Sequence, residues 1–288
     1  MILDGILNKI GFSEEMQEEC NAYIAQAGNC INEIAESFMK DDKDIKSVIE
    51  ELDSLDMNGI NNYTKHLLFF LFCTGPLYDQ YLEKGYSEEM FIDTMKDITC
   101  KVKECYDTDE VMGINCADWF SGYFKMTRFG FGRMQFDITT HPCEAVEVGG
   151  YTVNEGDFIV KGHVPSMGPL LHEDCMKSYK AVYEFVKDKL NGKHLPIEFW
   201  SWILFPNYRD FYGENSNLAR FIADYKVFGH YETDIFYDAW RFFGKDAGKE
   251  KLPTKTTLQK KFAEYIAPGK TYGYGKGIFL FDGENIIK

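Results

Sequence analysis

The sequence predicts an α+β protein, in which a helical N-terminal domain over residues 1–115 precedes a mixed, mostly antiparallel sheet with flanking helices over residues 116–288. Two observations lead to this division. Residues 1–115 contain 9 Lys and Arg against 24 Asp and Glu, whereas the remaining residues contain 22 of each, so the whole charge excess of −15 lies in the first part. Near Cys116 the pattern also changes, from apolar residues at helical spacing to aromatic segments divided by glycine.

Helix signals recur through the N-terminal domain. Ser13 and Ser87 each precede two glutamates, a pattern that predicts a helix N-cap followed by acidic residues near the positive end of the helix dipole. Gly75-Pro76 and Gly85 predict breaks between helices. No group of residues here has the composition of a catalytic site. We therefore expect His66, at the head of an apolar helix, to be a structural histidine.

The C-terminal domain contains a predicted crossover unit. Residues 158–164 are typical of a buried strand, the residues after a Gly/Pro loop have helical spacing, and residues 197–205 are again typical of a strand. Strand, helix and strand in succession form a right-handed crossover, so the two strands should be parallel. Gly149-Gly150 predicts a hairpin before this unit.

The chain ends with a predicted short strand over residues 231–236, a helix over residues 256–266 and a hairpin over residues 271–281. In this hairpin Gly273, Gly275 and Gly277 alternate, so one face of the strand has no side chains. Either another backbone lies close to that face or the strand is a pliable edge. Because glycine is ordinary in terminal hairpins, the sequence favours the edge.

Several classes of protein are disfavoured by composition. A net charge of −15 does not suit a nucleic-acid partner, because neutralising phosphates requires a basic surface. The eight cysteines form no Cys-x-x-Cys pair, so we expect no metal site. The longest apolar run, residues 67–73, is too short to span a membrane, and residues 1–12 do not resemble a secretory signal. These features predict a cytoplasmic protein with no membrane partner, and they leave the oligomeric state open.

Five short segments occur in order along the chain: residues 132–136 (GRMQF), 162–170 (GHVPSMGPL), 201–206 (SWILFP), 216–221 (SNLARF), and 258–259 with 275–279 (LQ and GKGIF). Together they resemble a bacterial group of acyltransferase-domain proteins with a helical N-terminal domain and a C-terminal domain of the N-acyltransferase fold known as GNAT. The resemblance covers nearly the whole chain.

This resemblance implies a transferase that uses acyl-CoA or acetyl-CoA as co-substrate and a small-molecule amine as acceptor. In the GNAT fold two parallel strands separate, and the pantetheine arm of CoA lies in the gap. Carried over to this chain, the resemblance implies that the backbone of Val160, Gly162 and Val164 contacts the pantetheine. It also implies that the N–H groups of Ser166, Met167 and Gly168 bind the pyrophosphate.

Aminolysis of a thioester requires a base for the amine, donors for the carbonyl oxygen and an acid for the thiolate. His163 lies where the first strand ends and can titrate near neutral pH, although it could equally anchor the loop. Glu198 is a second candidate base or a plain exposed carboxylate. Ser201 is a candidate donor or a backbone-bonding hydroxyl. Asn217 is a candidate donor or acid, or a helix cap.

Other features of the same loop support a different hypothesis. The usual GNAT sequence Arg/Gln-x-x-Gly-x-Gly/Ala is absent, and Pro165 and Pro169 remove two N–H donors. Glu173 and Asp174 occupy the first turn of the helix, where their charge would repel a phosphate. The alternative function is therefore a catalytically degenerate GNAT-like domain that binds a ligand or regulates a partner.

Overall fold

The computed structural model describes residues 3–41, 43–190, 192–267 and 269–288. The chain divides into two compact units, Met1–Gly130 and Phe131–Lys288. The division lies after the boundary that the sequence predicts at residue 115. The intervening residues 117–124 are helical, and their rings at Phe120 and Phe124 stack on Phe70, with centroids 4.3 and 5.6 Å away. These stacked rings place the segment with the helical unit.

The first unit is helical, as predicted. Its described helices are α1 (Leu3–Lys9), α2 (Glu14–Ala27), α3 (Cys30–Asp41), α4 (Ile45–Ser54), α5 (Asn62–Glu83), α6 (Glu88–Asp109) and the short α7 (Ser121–Phe124). Ser13 and Ser87 are the N-caps of α2 and α6, and each hydroxyl accepts a hydrogen bond from the third residue of its helix.

The predicted break at Gly75-Pro76 is wrong, because α5 runs through both residues. Proline removes a backbone donor and costs roughly 3 kcal/mol in a helix interior. Here α5 is buried on both sides of the proline, with Leu71, Leu77 and Tyr81 almost fully shielded from solvent. Burial of these side chains offsets the penalty. Gly85, with φ of +73°, does end the helical segment.

His66 is a structural histidine. Its Nδ1 lies 3.1 Å from the carbonyl oxygen of Ile114, and its Nε2 lies 2.8 Å from Asp53 Oδ1. The imidazole is 5% exposed, so both ring nitrogens are satisfied within the helical unit.

The second unit contains a mixed, mostly antiparallel sheet. Strand order is β1-β2-β5-β6-β8-β7, β9 pairs with β8, and β3 and β4 form a separate hairpin. The strands are β1 (Arg128–Phe131), β2 (Met134–Thr140), β3 (Val146–Val148), β4 (Tyr151–Val153), β5 (Phe158–His163), β6 (Leu195–Ser201), β7 (Lys226–Thr233), β8 (Tyr272–Phe281) and β9 (Ile286–Ile287). The described helices are α8 (His172–Val186), α9 (Asn217–Ala223), α10 (Trp240–Phe243) and α11 (Thr257–Tyr265).

The predicted crossover is present. β5 and β6 are parallel and are joined through α8, whereas β2 pairs with β5, and β8 with β6 and β7, in antiparallel register. The predicted strand over residues 197–205 is too long. β6 ends at Ser201, whose hydroxyl accepts the Ile203 N–H and begins a 3₁₀ turn over Trp202–Leu204.

The predicted glycine-rich edge is also wrong. β8 is an interior strand with β6 on one side and β7 on the other. A Cβ atom built on Gly275 would lie 2.1 Å from the carbonyl oxygen of Leu204, and one on Gly277 would lie 2.6 Å from Leu204 Cδ1. The less favoured alternative, in which another backbone lies close to the glycine face, is therefore the one observed. The preceding strand, β7, begins at Lys226 rather than at residue 231.

The two faces of the sheet differ in chemistry. On the helix face, Tyr179 of α8 packs against Phe279 and Phe136, and Phe221 of α9 packs against Phe199. On the opposite face, the β3–β4 hairpin covers an apolar cluster at one end that includes Ile159, Ile278 and Leu280. Beyond that cluster this face, called the polar face below, presents Asp137, Lys161, His163, Glu198, Trp200 and Lys276.

Candidate functional site

The parallel ladder between β5 and β6 ends before the strands do. Its last registered pair is Gly162 with Phe199, although β6 continues for two residues to Ser201 and remains paired with β8. Val160 is in register with Ile197, so the side of its backbone that faces β6 is already occupied. The registered pairing of the two strands therefore ends at Gly162, and the region beyond this pair, next to His163 and Val164, is called the opening below.

His163, the last residue of β5, is held by a carboxylate. Its Nε2 lies 2.8 Å from Asp137 Oδ2 on the adjacent strand β2, and both side chains are about one-fifth exposed. The pair forms because Asp137 and His163 lie on the same face of neighbouring antiparallel strands. A partly buried imidazole oriented by a carboxylate is the arrangement of a general base and its orienting group.

Glu198 lies in a different environment from that expected. It is fully buried and pairs with His141 Nδ1, while its second oxygen accepts a hydrogen bond of 3.1 Å from Trp200 Nε1. The other nitrogen of His141 lies 3.0 Å from the carbonyl oxygen of Glu144. The exposed-carboxylate alternative is wrong. With both oxygens occupied by protein donors, Glu198 is suited to holding Trp200 in place rather than to taking a proton from a substrate.

Trp200 in turn lies between two cations. The Lys161 ammonium nitrogen is 3.9 Å from the centroid of the Trp200 ring, and the Lys276 ammonium nitrogen is 4.2 Å from the same centroid. Such cation–π contacts contribute about 0.5–2 kcal/mol each, depending on desolvation. Lys276 Nζ also lies 3.7 Å from Cys143 Sγ. The polar face beside the end of the ladder therefore carries the ammonium groups of Lys161 and Lys276 together with the carboxylates of Asp137 and Glu198.

The loop between β5 and α8 is ordered by one arginine. The guanidinium of Arg133, from the turn between β1 and β2, donates to the carbonyl oxygens of Pro165, Gly168 and Pro169 at 3.0, 3.2 and 3.1 Å. Within the loop, the Met167 N–H donates to Pro165 O at 2.8 Å. Of the three N–H groups expected to bind phosphate, that of Met167 therefore already has an internal acceptor.

Gly168 in the same loop has a φ of +58°, and nothing lies within 4 Å of the position where a Cβ would be. The residue is thus required for its left-handed backbone conformation and not for space, since non-glycine residues rarely adopt this region.

The start of α8 carries a third histidine–carboxylate pair. His172 Nε2 lies 3.1 Å from Asp224 Oδ1, and the other oxygen of Asp224 is buried without a hydrogen-bond partner among the described residues. Burial raises the pKa of the Asp224 carboxyl above its ordinary value of 3.8, and His172 acts in the opposite direction. Glu173 and Asp174 occupy the first turn, as the sequence indicates.

Two of the candidate residues, Ser201 and Asn217, lie at the starts of helical segments. The Ser201 hydroxyl caps the 3₁₀ turn after β6, as its backbone-bonding alternative predicts. Asn217 is the first residue of α9, but the cap is Ser216, whose hydroxyl accepts the Ala219 N–H at 3.1 Å. His163 is thus the candidate that the structure supplies with a partner suited to catalysis.

Comparison with known proteins agrees with this architecture. Residues 129–279 match the model of the GNAT-like C-terminal domain. The chain belongs to that family. Residues 1–126 match the model of the N-acyltransferase N-terminal domain, so the resemblance drawn from the five sequence segments is confirmed. No curated protein matches the chain.

Solved structures similar to this GNAT-like protein are acyltransferases. One, in complex with decanoyl-CoA and teicoplanin, has 17% identity and a TM-score of 0.73, over 96% of this chain and 86% of the other. Another, in complex with CoA and 10C-teicoplanin, has 16% identity and a TM-score of 0.74 over the same shares. A third, with decanoyl-CoA, has 14% identity and a TM-score of 0.63, over 96% and 99%. At these identities the likeness establishes the fold.

Sequence reasoning missed most of the partners at this GNAT-like site. They are Arg133, Asp137, His141, Lys161, Trp200 and Lys276. Alternation along β2 could have placed Asp137 on one face of that strand, but the histidine opposite it depends on strand pairing between residues far apart in sequence. The same holds for Arg133, whose three acceptors lie 32 to 36 residues further along the chain.

Two structural features are absent from the described part of the GNAT-like chain. No helix there combines the length and apolar character needed to cross a membrane. Within the same residues, no group of three or more His, Cys, Asp and Glu side chains is arranged to hold a metal ion.

Proposed function

We propose that this protein is an acyl-CoA-dependent N-acyltransferase that transfers an acyl group from the CoA thioester to the amine of a small molecule. The observation that carries the proposal is the coincidence of two features. The β5–β6 ladder ends at Gly162 and Phe199, and a histidine oriented by a carboxylate lies at the next residue, His163. A thioester placed in that opening lies beside a base.

In this mechanism His163 is the general base and Asp137 orients it. Asp137 holds the imidazole through His163 Nε2, which lies 2.8 Å from Asp137 Oδ2. The amine nitrogen attacks the thioester carbonyl carbon, the C–N bond forms, and His163 takes the proton that the amine loses. The C–S bond then breaks, and the leaving CoA thiolate takes its proton from the imidazolium of His163. Asp137 stabilises the imidazolium that forms at His163.

The proposed CoA site follows the opening from strand to helix. Backbone groups of Gly162, His163 and Val164 are available to the pantetheine beyond the last registered pair. The N–H group of Gly168 is the proposed phosphate donor, together with the N-terminal turn of α8.

Support for the donor and acceptor comes from the fold and the chemistry of the site. Of the structurally similar acyltransferases, one was solved with decanoyl-CoA and teicoplanin, one with CoA and 10C-teicoplanin, and one with decanoyl-CoA. We propose an acyl-CoA donor and a small-molecule amine acceptor for this chain as well. A cytoplasmic location is part of the proposal, since all eight cysteines are free thiols, as expected in a reducing compartment.

The test compares binding with turnover. Calorimetric titration with CoA, acetyl-CoA and decanoyl-CoA measures binding, and release of free CoA thiol in the presence of an amine panel measures transfer. His163→Ala should bind CoA as the wild type does but lose roughly 10²–10⁴-fold in kcat, the usual contribution of a positioned base. His230→Ala is the matched control, because His230 forms an exposed pair with Glu232 on β7.

Three results would contradict the proposal. Wild-type protein that binds none of the three CoA compounds is not a CoA-dependent enzyme. Binding without thiol release for any amine supports the alternative, a catalytically degenerate binding module. Equal activity in His163→Ala and His230→Ala removes His163 from the mechanism.

A further inference from the structure

The phosphate loop of this protein lacks the arginine or glutamine that begins the usual GNAT loop, but an arginine reaches it from another part of the sheet. Arg133 lies in the turn between β1 and β2, and its guanidinium donates through Nε, Nη1 and Nη2 to three loop carbonyls. Three donors in a fixed planar geometry match three acceptors, which the single ammonium of a lysine cannot do with the same directions.

These bonds fix the direction of the loop peptides. In a trans peptide the C=O and N–H groups point to opposite sides. With Pro165 O and Pro169 O directed at the guanidinium, the N–H groups of Ser166 and Leu170 point away from it. The negative ends of three carbonyl dipoles are gathered around one cation, so they are not presented to an incoming anion.

The backbone of Arg133 is anchored as well. Its N–H donates to Ser178 Oγ at 3.1 Å, and the same hydroxyl donates to the carbonyl oxygen of Asp174 at 3.0 Å. The turn, the loop and the first two turns of α8 are thus joined into one bonded unit. Burial raises the pKa of the Cys175 thiol, and the positive charge of Arg133 acts to lower it. The charge of Arg133 therefore acts at the start of α8, where Glu173 and Asp174 lie.

We infer that Arg133 is a positioning residue for recognition of the pyrophosphate of CoA. It sets the conformation of residues 165–169 and offsets the two acidic side chains at the start of α8, so that a loop without the usual sequence can still receive an anion. This inference rests on the proposed function, because it assumes that CoA is the ligand of the opening.

The experiment measures the affinities of CoA and pantetheine for the full chain. Pantetheine has the arm that would lie between the strands but no pyrophosphate. Arg133→Lys and Arg133→Gln should each lose about tenfold or more in CoA affinity, a change of one decade or more in Kd, and keep the pantetheine affinity within about twofold. Arg220→Lys is the matched control, since Arg220 is exposed on α9 in the same unit. Thermal unfolding is recorded for all variants.

The outcomes separate this inference from the proposed function. If wild-type protein binds CoA and both Arg133 variants bind it equally well, Arg133 has no positioning role and the proposed function stands. If CoA and pantetheine affinities fall together in the variants, Arg133 only stabilises the fold and the inference is wrong. If wild-type protein does not bind CoA, both the proposed function and this inference are overturned.

Discussion

Replacing Gly275 by alanine tests whether β8 is held between two strands and the turn after β6. The new Cβ would lie 2.1 Å from Leu204 O and 2.5 Å from Leu204 C, which are backbone atoms that cannot rotate away. Overpacking of a core costs about 1–3 kcal/mol, occasionally more, and this contact belongs at the upper end. Alanine recovers roughly 0.5–1 kcal/mol of the glycine penalty in a strand. The net loss in the free energy of unfolding should be about 2 kcal/mol.

Urea denaturation followed by tryptophan fluorescence measures this loss. Trp200, Trp202 and Trp240 lie in the second unit and Trp119 in the first, so the signal reports mainly on the unit that contains β8. With a slope of about 2 kcal/mol/M, the midpoint should fall by roughly 1 M. Gly229→Ala on β7 is the matched control, because the nearest atom to its Cβ is Lys276 Cδ at 3.8 Å, an ordinary contact.

The control should be as stable as the wild type or more stable by up to about 1 kcal/mol. If Gly275→Ala is within about 0.5 kcal/mol of the wild type, or if Gly229→Ala loses as much, the close packing of β8 against Leu204 is not what fixes this strand.

Three further predictions concern buried titratable groups. Glu198→Ala should lose about 3–5 kcal/mol of stability in urea denaturation, because it leaves His141 buried without its carboxylate, and the double variant with His141→Leu should regain much of that loss. Because burial raises the folded-state pKa of Asp224, its contribution to stability is complete below about pH 3.8 and is lost as the pH rises through the folded pKa. Asp224→Asn should therefore gain stability relative to wild type between pH 4 and pH 7, and a constant difference over that range would contradict this. A thiol reagent added to native protein should label exposed Cys30 first and should reach the five buried cysteines, Cys20, Cys73, Cys100, Cys105 and Cys175, only on unfolding. Burial raises the pKa of four of these thiols, Cys20, Cys100, Cys105 and Cys175, to about 12. Labelling of all eight at one rate would contradict the burial.

The features that the sequence predicted correctly are those with local causes. Serine before two glutamates marks the start of α2 and α6 because the capping bond spans only three residues. The parallel pair β5 and β6 follows from the order strand, helix, strand and the handedness of such crossovers.

The errors arose where distant parts of the chain decide the outcome. Pro76 lies within a helix because the surrounding side chains are buried by other helices, which no local signal reports. The sequence favours an edge for the glycines of β8 because glycine is ordinary in terminal hairpins, whereas in the structure β7 covers this strand on one side. Interior position in a sheet is a property of the neighbours.

The same distinction between local and distant causes applies to the candidate site. His163 could be selected because it ends a strand before a Gly/Pro loop. Glu198 was selected for its charge, but its function in the fold depends on His141, which lies 57 residues earlier in the chain. Asp137 belongs to a hairpin strand with no unusual composition, so only the pairing with β5 brings its carboxylate to His163.

The steric demand at Gly275 and Gly277 has a consequence for the way this protein can evolve. Larger side chains there are excluded by Leu204 whether or not any substrate is bound, so folding alone selects for small residues at both positions. Asp137 and His163 are under no such demand, because both side chains are partly exposed. A descendant of this chain could replace Asp137 and His163 with other residues, keep Gly275 and Gly277, and fold unchanged. In such a lineage Gly275 and Gly277 would indicate common descent, whereas the presence of His163 and Asp137 would indicate retained activity.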